Sequence, residues 1–141
     1  MTVRISGTLV EEIRRAGEQA YPAECCGVLG GRVNELKEVT QLAPVVNRRT
    51  DDPHRYLISP DDLLRITREL RRSDLEVLGY YHSHPDHPAE PSAFDSEHAW
   101  PWYSYVIVRV DRGRASEITS WVLEEDCAAM HQESLQVFSE V

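Results

Sequence analysis

The sequence predicts a mixed fold of the α/β or α+β class, and three observations carry that prediction. Stretches with apolar residues at helical spacing interleave along the chain with short runs rich in Val, Ile, Leu and Tyr. Gly-, Pro- and Asp-containing segments punctuate them. No repeat, linker or low-complexity tract interrupts the series, so the 141 residues read as one domain over 1–141.

The elements follow in order. "TLVEEIRRAGEQA" sets Leu9, Ile13, Ala16 and Ala20 on one stripe with charges opposite, which predicts an amphipathic helix closed off by Pro22. "ECCGVLGG" predicts a buried strand and then a turn at the two glycines. "ELKEVTQLAPVV" alternates loosely and reads as its partner strand. "NRRTDDPHR" reads as an exposed loop, and "YLI" as a short strand.

"SPDDLLRITRELRRSD" opens a second helix. Ser59 suits the N-cap, Pro60 the first helical position, and Asp61 and Asp62 the positive end of the helix dipole. Leu63, Leu64, Ile66 and Leu70 supply its apolar face. "EVLGYYHSH" reads as a strand ended by Pro85, and "SAFDSEHAW" as a short helix. "SYVIVRV" and "ASEITSWVLEE" flank the turn "DRGR" as a hairpin. The tail over 126–141 fits helix and strand equally.

Composition narrows the function. A net charge of −9 argues against a broad phosphate-backbone interface, so no nucleic-acid partner is expected. No apolar run is long enough to cross a bilayer, and charges break up the N-terminal segment early. Cys25, Cys26 and Cys127 make an odd set with an adjacent pair, a poor disulfide framework that fits a reducing compartment. A cytoplasmic protein without a membrane partner is the expectation. Oligomeric state is not legible.

The densest chemistry is "HSHPDHPAEPSAFD", from His82 to Asp95. His82 and His84 are two apart, so on a strand their imidazoles share a face and can converge on a metal. Pro85 stops the strand and lets the chain turn, so Asp95 can return as a third ligand. Two histidines and one aspartate leave a tetrahedral position open for water, as catalytic zinc sites do. Ser92 and Asp95 also fit a simple helix-capping pair. His87 lies outside the His-x-His face and reads as solvent-exposed. Glu24, at the head of an apolar strand, is the candidate proton shuttle, with a plain surface carboxylate as its alternative.

Glu24 in "PAECCGVLGG", "HSHP" at 82–85, six intervening residues and "SAFD" at 92–95 together resemble the JAMM metalloproteases, also called MPN+ or JAB-domain proteins. The resemblance covers a motif core of 24–95 and runs in pattern from the first helix to about Trp121. It implies a curved mixed β-sheet flanked by helices, similar to the cytidine-deaminase fold. It implies one Zn²⁺ per chain on His82, His84 and Asp95, with Glu24 handling protons and Ser92 donating to the oxyanion. A zinc deaminase itself fits poorly, because "AECC" has no His two before the Glu and no C-x-x-C follows. No G-x-S-x-G frames a serine nucleophile either.

The resemblance further implies a substrate carrying a ubiquitin-like C-terminus. The compact chain is similar to stand-alone prokaryotic members, which points to a ubiquitin-like sulfur-carrier protein cut after Gly-Gly, with release of cysteine or another terminal residue. Removal of a modifier from protein lysines is the alternative, and a non-catalytic scaffold a weaker one, since all five motif residues are present. Arg48, Arg49 and Arg55, in the segment "NRRTDDPHRYLIS", are the candidate contacts for the carrier, on an edge its tail would pair with.

Overall fold

The computed structural model of the chain describes residues 1–49, 52, 55–126 and 129–140. Part of the predicted loop at 47–55 and Cys127 therefore lie outside the described residues. The elements run β1 (Val3–Ser6), α1 (Gly7–Ala20), β2 (Cys26–Val33), β3 (Lys37–Val45), α2 (Pro60–Arg72), β4 (Glu76–Pro85), α3 (Ala93–His98), β5 (Ser104–Asp111), β6 (Arg114–Leu123), β7 (Met130–Glu133) and β8 (Leu135–Phe138). The mixed α+β class is as expected.

The strands form one eight-stranded mixed sheet in the order β7-β6-β5-β4-β2-β3-β1-β8. Its two outermost strands, β7 and β8, are consecutive in the chain and separated only by Ser134. A flat sheet would put them roughly 34 Å apart, at about 4.8 Å per neighbouring strand. One intervening residue cannot span that distance. The sheet must curl until its ends meet, and it is curved and nearly closed. The Val3 N–H donates to Ser134 O at 2.9 Å, pinning the junction to β1.

Helix α1 packs across the sheet. Ser6 caps it by accepting from the Leu9 N–H. Its buried residues are Val10, Ile13 and Gly17, so the predicted stripe is turned: Ala16 and Ala20 are only partly buried. Gly17 faces the sheet because nothing larger fits. A Cβ there would lie 2.9 Å from Val110 Cγ2 and 3.2 Å from the Ser83 side chain. The helix thus presses directly behind the middle residue of "HSH".

Helix α2 begins as expected, with Ser59 accepting from the Asp62 N–H at 3.1 Å. Ile66 and Leu70 pack with Val28 and Leu75 as a second apolar cluster. Leu64 does not join them and is 50% exposed. Two strand expectations also need correction. The Gly30–Gly31 pair is not a turn: β2 continues through it, with register shifts against both neighbours. "YLI" at 56–58 forms no strand. The hairpin β5–β6 turns at Arg112–Gly113 as predicted, and the ambiguous tail supplies β7 and β8.

Candidate active site

Strand β4 carries His82 and His84 at the sheet's centre. It pairs antiparallel with β2 and parallel with β5. Both imidazoles are nearly solvent-free, at 0% and 5% exposure. Asp95 arrives from α3, whose first turn is closed by a reciprocal cap. Ser92 Oγ accepts from the Asp95 N–H at 3.0 Å, and the Ser92 N–H donates to Asp95 Oδ2 at 2.9 Å. The capping reading of Ser92 is therefore present in the structure, and it also holds the Asp95 carboxylate still.

Three ligand atoms converge. His82 Nε2 and His84 Nε2 lie 3.0 Å apart. Asp95 Oδ2 is 3.3 Å from the first and 3.0 Å from the second. Burial opposes ionisation of Asp95, but the charge and hydrogen bonds of the histidines and the Ser92 N–H hold it well below the usual carboxylate range. Burial pulls the His82 imidazole down, against the pull of Asp95, which favours the neutral form. Two imidazoles and a carboxylate are a donor set suited to a borderline dication such as zinc.

The support behind these ligands is specific. His84 Nδ1 lies 2.8 Å from Pro88 O, a geometry that places the proton on Nδ1 and frees the Nε2 lone pair. The adjoining Ala89 carbonyl accepts from Thr119 Oγ1 at 2.6 Å and from Trp121 Nε1 at 3.3 Å, fastening that loop to β6. His82 is supported differently. Its Nδ1 is buried without a hydrogen-bond partner among the described residues. Its ring is instead covered by Tyr56, stacked at 4.5 Å between centroids and 24° between planes.

Glu24 reaches the site through strand register. Cys26 pairs with His82 across β2 and β4. Continuing that register by two residues sets Glu24 opposite His84. Ser83, the middle residue of the motif, extends the pairing: its N–H donates to Cys25 O at 3.2 Å, and its Oγ accepts from the Cys25 N–H at 2.8 Å. Glu24 is 4% exposed, and its Oε1 is buried without a hydrogen-bond partner among the described residues. Burial, aided by the charges of Asp95 and Asp52, pushes its carboxyl up to about 9. An orphaned carboxylate oxygen beside a cluster of metal-ligand atoms fits a cation and a water between them.

Two cavities flank this centre. A polar one of about 560 Å³ is lined by Glu24, Arg55, His84, His87, Glu90 and Ser92, among others. An apolar one of about 250 Å³ includes Tyr56, Leu63, Tyr80, Asp95, Trp100 and Tyr105. Phe94 lines both. The three candidate arginines separate here. Arg55 and Arg49 stand over the Phe94 ring at 4.7 and 5.3 Å, beside Asp95. Arg48 instead pairs with Asp62 of α2 at 3.2 Å. His87 is exposed at the rim, as expected. Burial pushes the Cys25 thiol up and Cys26 up to about 12, against thiolate chemistry at either.

Sequence reasoning missed Tyr56, Ser83 and Pro88. Each acts through a neighbour or a backbone group, and such partners follow from register and loop path rather than from residue type.

Residues 7–124 match the family model described as prokaryotic homologs of the JAB domain. The chain is 37% identical over 105 residues to a desampylase of Haloferax volcanii, covering 74% of this chain and 75% of the relative. It is 36% identical over 107 residues to a probable TtuB-protein conjugate cleaving protease of Thermus thermophilus, covering 76% and 70%. A solution structure of a protein from Desulfitobacterium hafniense superposes with a TM-score of 0.85 at 28% identity, covering 99% of this chain and 94% of that one. The matched span contains both histidines, Asp95, Ser92 and Glu24, and this chain belongs to the prokaryotic branch of the JAB-domain family.

Proposed function

We propose that this protein is a zinc metallopeptidase that removes a ubiquitin-like modifier from protein conjugates, hydrolysing the amide bond after the modifier's terminal glycine. The observation that carries the reading is the buried Glu24 carboxyl, whose Oε1 has no hydrogen-bond partner among the described residues, set across from the His82–His84–Asp95 cluster.

His82, His84 and Asp95 would hold one zinc ion, with room left for water and substrate. When bound, that ion lowers the pKa of a water and polarises the scissile carbonyl. Glu24 takes up the proton that the attacking water gives up, and it returns that proton to the departing amine. Burial makes the Glu24 carboxyl a competent donor, and a dication held by the neighbouring residues would favour its ionised, accepting form. Ser92 Oγ already accepts from the Asp95 N–H, so its own O–H proton remains to be donated to the oxygen that gains charge.

The cavities suggest how a substrate lies. Glu24 must face the leaving amine, and Glu24 lines the polar cavity. The amine side of the bond belongs there. The modifier's tail then occupies the apolar cavity beyond Asp95. Glycines at the tail's end let the backbone pass between Phe94 and the ligands, where a branched side chain would collide.

The sequence favours a small leaving group, such as cysteine released from a sulfur carrier. The names of the two relatives favour modifier removal: one is a desampylase, the other a TtuB-protein conjugate cleaving protease. The zinc-loaded protein should be incubated separately with a lysine-linked modifier–protein conjugate and with a carrier–cysteine conjugate, and the products weighed by mass spectrometry. Release of intact modifier ending in Gly-Gly from the lysine conjugate is expected. Cleavage of the carrier–cysteine conjugate alone would reassign the leaving group.

A further inference from the structure

One side chain outside the ligand and shuttle set bonds both the backbone of Glu24 and the segment that carries Tyr56. Asn47 follows β3, in the segment leading to α2. Its Nδ2 donates to Glu24 O at 3.1 Å and to Arg55 O at 3.0 Å. Its Oδ1 accepts from the Arg49 N–H at 2.9 Å and from the Leu57 N–H at 3.0 Å. All four hydrogen-bonding positions of the amide are used. The amide's orientation follows from its partners, because a flip would set donors against donors and carbonyls against the oxygen. Aspartate has the same shape but would face two carbonyls with an acceptor.

The partners reveal what the amide holds. Arg55 and Leu57 flank Tyr56, whose ring covers His82. The Arg48 N–H adds a bond to Leu57 O at 3.0 Å, so residues 47–49 and 55–57 lie side by side. "YLI" makes no strand, and among the described residues His82 has no hydrogen bond at Nδ1 to orient it. The Tyr56 stack therefore stands in for the hydrogen bond that a metal-ligating histidine commonly makes at its other nitrogen. The same Asn47 amide fixes the backbone carbonyl of Glu24.

We propose that Asn47 is a positioning residue of this centre: it clamps Tyr56 onto His82 and ties that cover to the backbone of Glu24, so that cover and proton shuttle keep one geometry. The proposal builds on the metallopeptidase reading, but its main test does not depend on it.

The first readout is nuclear magnetic resonance of the metal-free protein. A ring stacked at this distance shifts the His82 ring protons upfield, and Tyr56→Leu should abolish the shift. Asn47→Asp should abolish it too while the fold is retained, and Tyr56→Phe should preserve it. Asn47→Ser serves if Asn47→Asp does not fold. A His82 signal unmoved in the folded Asn47 variant overturns the proposal, whether or not the protein cleaves anything.

The second readout is zinc loss to a chelator. Asn47→Asp should speed it about tenfold, the lower end of the effect of removing a ligand's support. The same change in a Tyr56→Leu background should add nothing, since both act through one stack. Effects that multiply would overturn the coupling. On a cleavable conjugate, kcat should fall at least tenfold with KM little changed, whereas Leu70→Ala, in the second apolar cluster and lining neither cavity, should lower the melting temperature without lowering kcat. Equal kcat losses in the two variants would reduce Asn47 to a stabilising residue.

Discussion

Asp95 and Glu24 belong to one site but stand in regions built on opposite terms. Asp95 accepts from a backbone N–H and lies against two imidazole nitrogens, and its carboxyl is held well below the usual range. Glu24 is buried with an oxygen that nothing among the described residues satisfies, and it keeps its proton far above the usual range. The first region is arranged to hold a cation. The second is arranged to be incomplete until something polar enters between them. A site that polarises and transfers a proton needs both, because a ligand must stay ionised while a shuttle must change state.

The largest effect should come from breaking the first region. Metal analysis should find about one zinc per chain in the parent, and His82→Ala and Asp95→Ala should each lose most of it, and with it all cleavage. Full zinc in both variants would remove the ligand assignment.

Breaking the second region separates chemistry from binding. Glu24→Gln should keep its zinc and its fold, yet cleavage should drop on the order of a thousandfold, within the usual range for a lost acid–base group. A variant that cleaves as well as the parent would show the proton going elsewhere.

Ser92 sits between the regions and sharpens the comparison. Ser92→Ala removes both a helix cap and a proposed oxyanion donor. Loss of the donor should lower kcat about a hundredfold. Loss of the cap alone should lower stability by roughly 1 kcal/mol and leave the rate of the folded fraction intact. Chemical denaturation and kinetics on the same sample distinguish them.

The smallest effect is on stability and follows from sign. In the metal-free fold Glu24 holds its proton up to about 9, while in the unfolded chain it releases it near 4.5. Between those values the unfolded state binds fewer protons, so rising pH favours unfolding. Glu24→Gln lacks that titration. Its melting temperature without metal should match the parent near pH 4 and exceed it increasingly toward pH 9. A constant offset across that window would place the parent carboxyl in solvent.

The candidate ligand set was legible as a cluster because its logic is local. A two-residue spacing on a strand, a proline stop and a helix cap all act within fourteen positions. The helix starts at Ser59 and Ser92 were legible for the same reason. Glu24 was a candidate from its place at the head of an apolar strand, and the resemblance strengthened it, but its approach to His84 depends on a β2–β4 register that no local pattern specifies. The turned stripe of α1 had a cue, since Gly17 is the position where the sheet comes closest, but a glycine carries no apolar signal. Strands β1, β7 and β8 have four residues each, too few for alternation to stand out. Tyr56 was read as part of a strand because aromatic and β-branched neighbours favour strands, and only the loop's path sets it on His82.

Ser134 carries a consequence beyond geometry. Because β7 and β8 are consecutive, the segment from Met130 to Phe138 lies along β6 with its first half and along β1 with its second. It acts as a seam. Unpicking it would strip a neighbour from both β6 and β1 and present rows of unsatisfied backbone donors and acceptors to other molecules. Such rows are templates for intermolecular strand pairing. The short polar stretch least informative in the sequence thus guards the protein against aggregation, and losses there should appear as insolubility before they appear as inactivity.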